Sequence, residues 1–185
     1  MRVIAGTARR LPLKTVSGLD TRPTIDKIKE TLFNIIAPYV PGSSFLDLFC
    51  GSGSIGIEAL SRGASRCVFV DNSAAAVNCV KENLAFTRLG DNATVLRKNV
   101  LGAINELRLR NDFFDIVYMD PPYFEGLEEE TLKALASAGI IGEDTIVIIE
   151  ADKHNGLDFI DESPFEITRD KLYKTNRHYF LRLVQ

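Results

Sequence analysis

Two runs of residues carry the chemistry in this sequence: Asp120-Pro121-Pro122-Tyr123, and the glycine-rich stretch from Phe45 to Gly56 upstream of it. Consecutive prolines stiffen the backbone and remove two N–H donors, so the Asp120 carboxylate and the Pro121 carbonyl are left as fixed acceptors. An acceptor-only pocket suits an amine. An exocyclic base amine is a weak nucleophile, because its lone pair is delocalised into the ring. Two acceptors gripping its hydrogens would hold the nitrogen so that the lone pair points at an electrophilic methyl group. Positioning of that kind is worth about 7–11 kcal/mol, so the expected reaction needs neither a metal nor a covalent intermediate. Tyr123 offers a ring on which an extruded base would stack, worth about 1–3 kcal/mol, against the few kcal/mol that unstacking costs. Asp120, Pro121, Pro122 and Tyr123 are therefore the expected catalytic group.

The glycine stretch contains Gly51-x-Gly53-x-x-Gly56. Its glycines permit a tight turn and a close ligand approach, and a helix beginning there would present free N–H groups. Nicotinamide and flavin enzymes use the same turn. Asp47, just before the glycines, favours S-adenosylmethionine, because a carboxylate would repel a pyrophosphate but not a sulfonium or an ammonium. Asp71, twenty residues past Gly51, is placed to accept hydrogen bonds from ribose hydroxyls; that acid alone fits either cofactor.

The elements that must position these groups follow from periodicity. Met1 to Val16 reads as a hairpin or extended arm, and Thr24 to Ile36 as a helix stopped by Pro38 and Pro41. From Ser44 onward strands and helices alternate. The strands are expected at Phe45–Phe49, Val68–Val70, Ala93–Leu96, Phe114–Met119 and Thr145–Ile149. Between them fall helices ending at Arg62, running from Ser73 to a stop at Gly90, and spanning Leu101–Arg110 and Leu127–Ala138. The tail from Phe165 reads as two strands joined around Thr175 and Asn176. This rhythm predicts an α/β, doubly wound, mostly parallel sheet with an antiparallel hairpin at its end. The expected division is an N-terminal arm plus helix over 1–41 and a main domain over 42–185.

Composition narrows the class further. The chain has 185 residues, 45% apolar and 25% charged, and no apolar run reaches the roughly 18 residues of a membrane span. A cytoplasmic protein without membrane or metal is expected. Cys50, Cys67 and Cys79 show no paired spacing and are expected as reduced thiols; with only His154 and His178 present, no zinc spacing occurs. The net charge of −3 hides a segregation. The first thirty residues hold seven Lys or Arg against three acids, and the last twenty hold five against two, so the middle is acidic. If the two ends meet in space they form a positive face for phosphates; otherwise these are solvated charges on separate faces.

The order of these features resembles one family. Arg22-Pro23-Thr24 and Lys29-Glu30-Thr31-Leu32-Phe33-Asn34 precede the glycine motif, with Asp-Pro-Pro-Tyr following, as in the RsmD family of 16S ribosomal RNA guanine-N2 methyltransferases. The similarity extends over nearly the whole chain. It implies a Rossmann-like class I methyltransferase fold of seven strands with a small N-terminal extension. It also implies S-adenosylmethionine as cofactor, and ribosomal RNA or a partly assembled small ribosomal subunit as partner. Asp47, Gly51 and Gly53 would surround the methionine part, Asp71 the ribose, and Asn99 with Val100 the adenine edge, where Asn99 replaces the acid common in the wider superfamily. Phe49, Ser52 and Asn72 flank these positions and are assigned to the same site, as is Asp120.

Arg9, Arg10, Arg22, Lys171, Lys174 and Arg177 are the candidate RNA-binding residues. Arg22 would touch phosphate or pin the arm; Lys27 and Lys29 read as solvated charges; Glu150 reads as a pocket-rim residue or a surface acid. DNA adenine or cytosine amino methyltransferases share the motif but usually carry a target-recognition domain, for which this length leaves no room. A non-catalytic, cofactor-binding RNA chaperone is the alternative outside enzymes.

Overall fold

A computed structural model describes residues 1–16, 23–122 and 125–184 of the chain, with residues 23–25 described by their backbone alone. Seven strands, β1 (Ser44–Leu48), β2 (Arg66–Asp71), β3 (Ala93–Arg97), β4 (Ile116–Met119), β5 (Ile146–Asp152), β6 (Phe165–Leu172) and β7 (Asn176–Leu183), form one sheet in the order β3-β2-β1-β4-β5-β7-β6. The first five are parallel, whereas β7 runs antiparallel to both β5 and β6. The expected class I methyltransferase architecture is therefore present, and its hairpin docks through the second strand, leaving β6 at the edge. The inner strands are buried on both faces, as covered parallel strands must be, and β4 is buried along its whole length.

Helices α1 (Pro23–Ile35), α2 (Ser54–Ser61) and α3 (Ala74–Thr87) cover one face, and α4 (Val100–Leu109) and α5 (Leu127–Ala138) the other. On the first face Phe45, Cys67, Phe69 and Ile116 meet Leu32 and Phe33 of α1 and Ile57 of α2. Opposite them, Leu46, Leu48, Val117 and Val147 meet Ile104, Leu107 and Leu135. Alternate residues of each strand thus feed two separate cores, so a one-residue slip of any inner strand would exchange their contents. All three cysteines are free and buried. Among the described residues no helix is long and apolar enough to cross a membrane.

The first sixteen residues form a small hairpin-like arm, with Val3 N–H donating to Leu11 O at 3.0 Å and Arg10 N–H to Val3 O at 2.9 Å. Val3, Ala8 and Leu13 of the arm sit in the same core as α1 and α2. Polar groups hold it there. Glu58 of α2, fully buried, accepts from the N–H groups of Ile4 (2.8 Å) and Ala5 (3.0 Å), and Ser61 accepts from Ala8 N–H at 3.0 Å.

Two expectations need correction. Lys29 is 2% exposed; its ammonium lies 3.6 Å from Glu58 and donates to Arg2 O at 2.7 Å, so it is an internal tether and not a solvated charge. The third helix ends at Thr87, before Gly90, because Arg88 takes the left-handed conformation (φ 58°) and its N–H returns to Ala85 O.

Candidate active site

The carboxyl ends of β1, β2, β4 and β5 border one cavity of about 640 Å³, lined among others by Asp47, Gly51, Asp71, Asp120, Pro121 and Glu150. A parallel sheet whose strand order reverses beside β1 opens such a crevice there. Phe49 and the glycine turn form its floor. Phe49 has φ 57°, a strained value for a side chain of this size, which turns the chain sharply as it leaves β1. Gly53 has φ 74° and caps α2, with its N–H on Cys50 O at 2.7 Å. At Gly56 a Cβ would meet Phe69 Cε1 at 2.3 Å, so only glycine lets α2 lie this close to β2.

Two acids brace this turn. Asp47 accepts from Gly56 N–H and Asp71 from Gly51 N–H, both at 2.9 Å, and Asp71 also accepts from Ser73 N–H at 2.9 Å. Burial, opposed by the Gly56 hydrogen bond and reinforced by the Asp71 charge, pushes the Asp47 carboxyl up to about 8. Around neutral pH, then, Asp47 is largely protonated, and a cation bound beside it would favour its ionised form.

A second cavity of about 350 Å³ adjoins the first, and Phe49, Asp71, Asn72 and Leu127 line both. Asn99 and Val100 line it as well. The Asn99 carboxamide oxygen caps α4 by accepting from Gly102 N–H at 2.7 Å, so its second lone pair and its NH2 group remain for a ligand. Along the two spaces together lie the Asp47 carboxyl, the Asp71 carboxyl and the Asn99 amide.

Asp120 follows β4 directly and opens into the larger cavity, with Pro121 buried beneath it and Pro122 exposed. Asp120 is exposed toward the cavity, and the protein crowding its carboxyl, then the charges of Glu150 and Asp47, push that group above the usual carboxylate range. Tyr123 and Arg22 lie outside the described residues, as does the side chain of Thr24.

Sequence reasoning left Glu150 open and missed its partners. Glu150 accepts from Tyr118 O–H (2.5 Å), from Asn176 Nδ2 (2.5 Å) and from His178 Nε2 (3.1 Å), and His178 Nδ1 faces Tyr173 O–H at 3.3 Å. Burial alone would raise the Glu150 carboxyl. The hydrogen bond and charge of His178, then the bonds from Tyr118 and Asn176, instead hold it below its ordinary value. Only the register could have flagged the cluster: Met119 pairs with Ile149, which sets Asp120 beside Glu150, and Glu150 pairs with His178.

Met1 and Thr15 also line the larger cavity. Asn83 ties the arm to its floor, accepting from Lys14 N–H at 2.8 Å and donating to Lys14 O (3.0 Å) and Ser52 O (2.9 Å). Arg9 and Arg10 are exposed on the arm. At the other end, Arg177 is paired with Asp170, and Lys171 lies 6.0 Å from the Tyr173 ring. Lys171 lies near the end of β6 and Lys174 in the connection between β6 and β7.

The sequence matches the family described as "Conserved hypothetical protein 95" over residues 1–182. YlbH of Bacillus subtilis (strain 168), named provisionally as an rRNA methyltransferase, is 42% identical over 83% of each chain. Ribosomal RNA small subunit methyltransferase D of Escherichia coli (strain K12) is 37% identical over 85% of this chain and 77% of its own. A solved Escherichia coli structure, yhhF, provisionally described as a methyltransferase, superposes with a TM-score of 0.85 at 31% identity, covering 100% of this chain and 98% of that one. With a family match along almost its full length and relatives above 30% identity, the chain belongs to the conserved hypothetical protein 95 family, that is, the RsmD family.

Proposed function

We propose that this protein is a cytoplasmic S-adenosylmethionine-dependent methyltransferase that acts on ribosomal RNA, and that its target is the exocyclic N2 of a guanine in 16S rRNA. The observation that carries this reading is the shared cavity: Asp120 and Pro121 open into the same space as the glycine turn and Asp71. Naked rRNA and a partly assembled small subunit both satisfy the reading as substrate. S-adenosylmethionine, when bound, supplies a methyl group on a sulfonium, a leaving group that needs no further activation.

The residues supply position and charge. The Asp47 carboxyl and the α2 N-terminus receive the charged amino-acid end, Asp71 the ribose, and the cavity beside Asn99 and Val100 the adenine. Asp120 Oδ and the Pro121 carbonyl accept the two amine hydrogens and turn the nitrogen lone pair toward the methyl carbon. Accepting the methyl group would leave the nitrogen cationic, with one proton to lose. Asp120, in contact with that nitrogen and with its carboxyl raised above its ordinary value, would receive it. Arg9, Arg10, Lys171 and Lys174 supply positive charge for RNA phosphates from the two ends of the chain, and Arg177 would join them on leaving Asp170.

The test is incubation with methyl-labelled cofactor and separate pools of rRNA, small ribosomal subunits and DNA, followed by nucleoside analysis. N2-methylguanine from the ribosomal samples alone is expected. Label in DNA adenine or cytosine, or RNA binding with no transfer at all, would refute the reading.

A further inference from the structure

We infer that Glu150 selects the base: its free acceptor site takes the N1–H of guanine while Asp120 and Pro121 hold the adjacent N2 amine, and the other bases are refused. The inference rests on the base-methylation reading above and extends it to specificity. Its ground is the row of side chains across the sheet. Because Met119 pairs with Ile149 and Glu150 with His178, Asp120, Glu150 and His178 stand side by side at the rim, and the first two line one cavity.

A carboxylate has four acceptor sites. Tyr118, Asn176 and His178 fill three of them on Glu150, which fixes the group and leaves one site over. His178, 0% exposed, is held in turn by Tyr173. Three donors on one carboxylate also keep it ionised, so it accepts hydrogen bonds and has none to give.

An acceptor fixed beside an amine grip matches one base edge. Guanine presents N1–H next to the N2 amine, two donors in a row. Adenine and cytosine each present a ring nitrogen acceptor next to their amine, and that lone pair would face the Glu150 carboxylate. A flipped base is read on this edge, and a site built to bond a donor strongly rejects an analogue that lacks it, since its own acceptor is left unpaired.

The probe is 2-aminopurine, which keeps the amine at C2 but has an unprotonated N1. Two 16S rRNA fragments are prepared, with guanine or 2-aminopurine at the position that nucleoside mapping identifies. Methyl transfer is then measured for the wild-type protein and for Glu150→Gln. The introduced amide can donate to an unprotonated N1, and Asn176, whose Oδ1 is buried without a partner, can turn to accept the amide's other hydrogen.

The wild-type protein is expected to prefer guanine about 100-fold in kcat/KM. The Glu150→Gln protein should lose most of its guanine activity and bring the ratio to within about fivefold of unity, because the amide pairs with N1 of 2-aminopurine. Equal wild-type rates on the two fragments overturn the inference even if the variant does not fold, and so does an unchanged ratio in a folded variant. No transfer to the guanine fragment by the wild-type protein overturns instead the reading beneath it.

Discussion

Asp47, Asp71, Asp120 and Glu150 are among the acids that border one cavity, and their neighbours set them to different tasks. Backbone N–H donors occupy Asp47 and Asp71, side-chain donors occupy Glu150, and Asp120 is left facing the open space. Replacing Asp120 with Ala removes one of the two amine acceptors without touching the glycine turn. Calorimetry should find cofactor affinity within about threefold of wild type, while single-turnover rates fall at least ~100-fold; near-normal turnover would refute the amine grip. Asp47 gives a pH test. Its carboxyl titrates near 8 in the fold and near 3.8 when unfolded, so the native state holds an extra proton between those values. Stability from this group is therefore present at low pH and lost as pH rises through that window. Asp47→Asn mimics the protonated form, so melting curves should match wild type near pH 4 and run higher at pH 8 by at least about 3 °C. An equal shift at both pH values would mean that Asp47 does not titrate there.

Among the elements, α2 does two jobs. Its N-terminus faces the cavity, and Glu58 and Ser61 fasten the arm along its side. Glu58 also balances the buried Lys29 and bonds Arg62 Nε at 2.7 Å. Glu58→Gln keeps the shape but leaves Lys29 buried without its counter-charge, for a cost of roughly 3 kcal/mol. Urea unfolding is the measurement; a midpoint unchanged from wild type would show the pair to be expendable. Because the arm reaches the cavity through Met1 and Thr15, the same variant should cleave faster in limited proteolysis within residues 1–16.

At the scale of the whole molecule the charge segregation acquires a geometry. The arm is fastened to α2 and α3 on one side of the cavity, and the β6–β7 hairpin lies past β5 on the other. The β6–β7 turn thus stands beside the carboxyl end of β5 at the rim. The arm, among the described residues, meets the cavity only through Met1 and Thr15 and carries Arg9 and Arg10 on its tip beside Ser61, at the far end of α2, so an RNA that met both would have to extend along the arm. Several cations are already paired, Arg2 with Asp26, Lys14 with Glu82, Arg177 with Asp170 and Arg182 with Glu166. Reversing the charge of Arg9 and Arg10 together should weaken rRNA binding at low salt and reduce the slope of log affinity against log salt by about two. An unchanged slope would remove the arm from the RNA interface.

The sequence by itself determined the strand and helix order, the glycine turn with its two acids, and the acceptor motif after β4. These signals are local: periodicity, a positive-φ turn and a rigid dipeptide are written in consecutive residues. It could not determine which charges are buried. Lys29 and Lys27 look alike on a helix, and only the packing of the arm against α2 decides that Lys29 faces Glu58 while Lys27 faces solvent. Nor could it assemble the cluster around Glu150, whose partners come from β4, from β7 and from the turn before it, between 5 and 32 residues apart along the chain. Strand pairing created that neighbourhood, because hydrogen-bond register, unlike periodicity, depends on two segments at once.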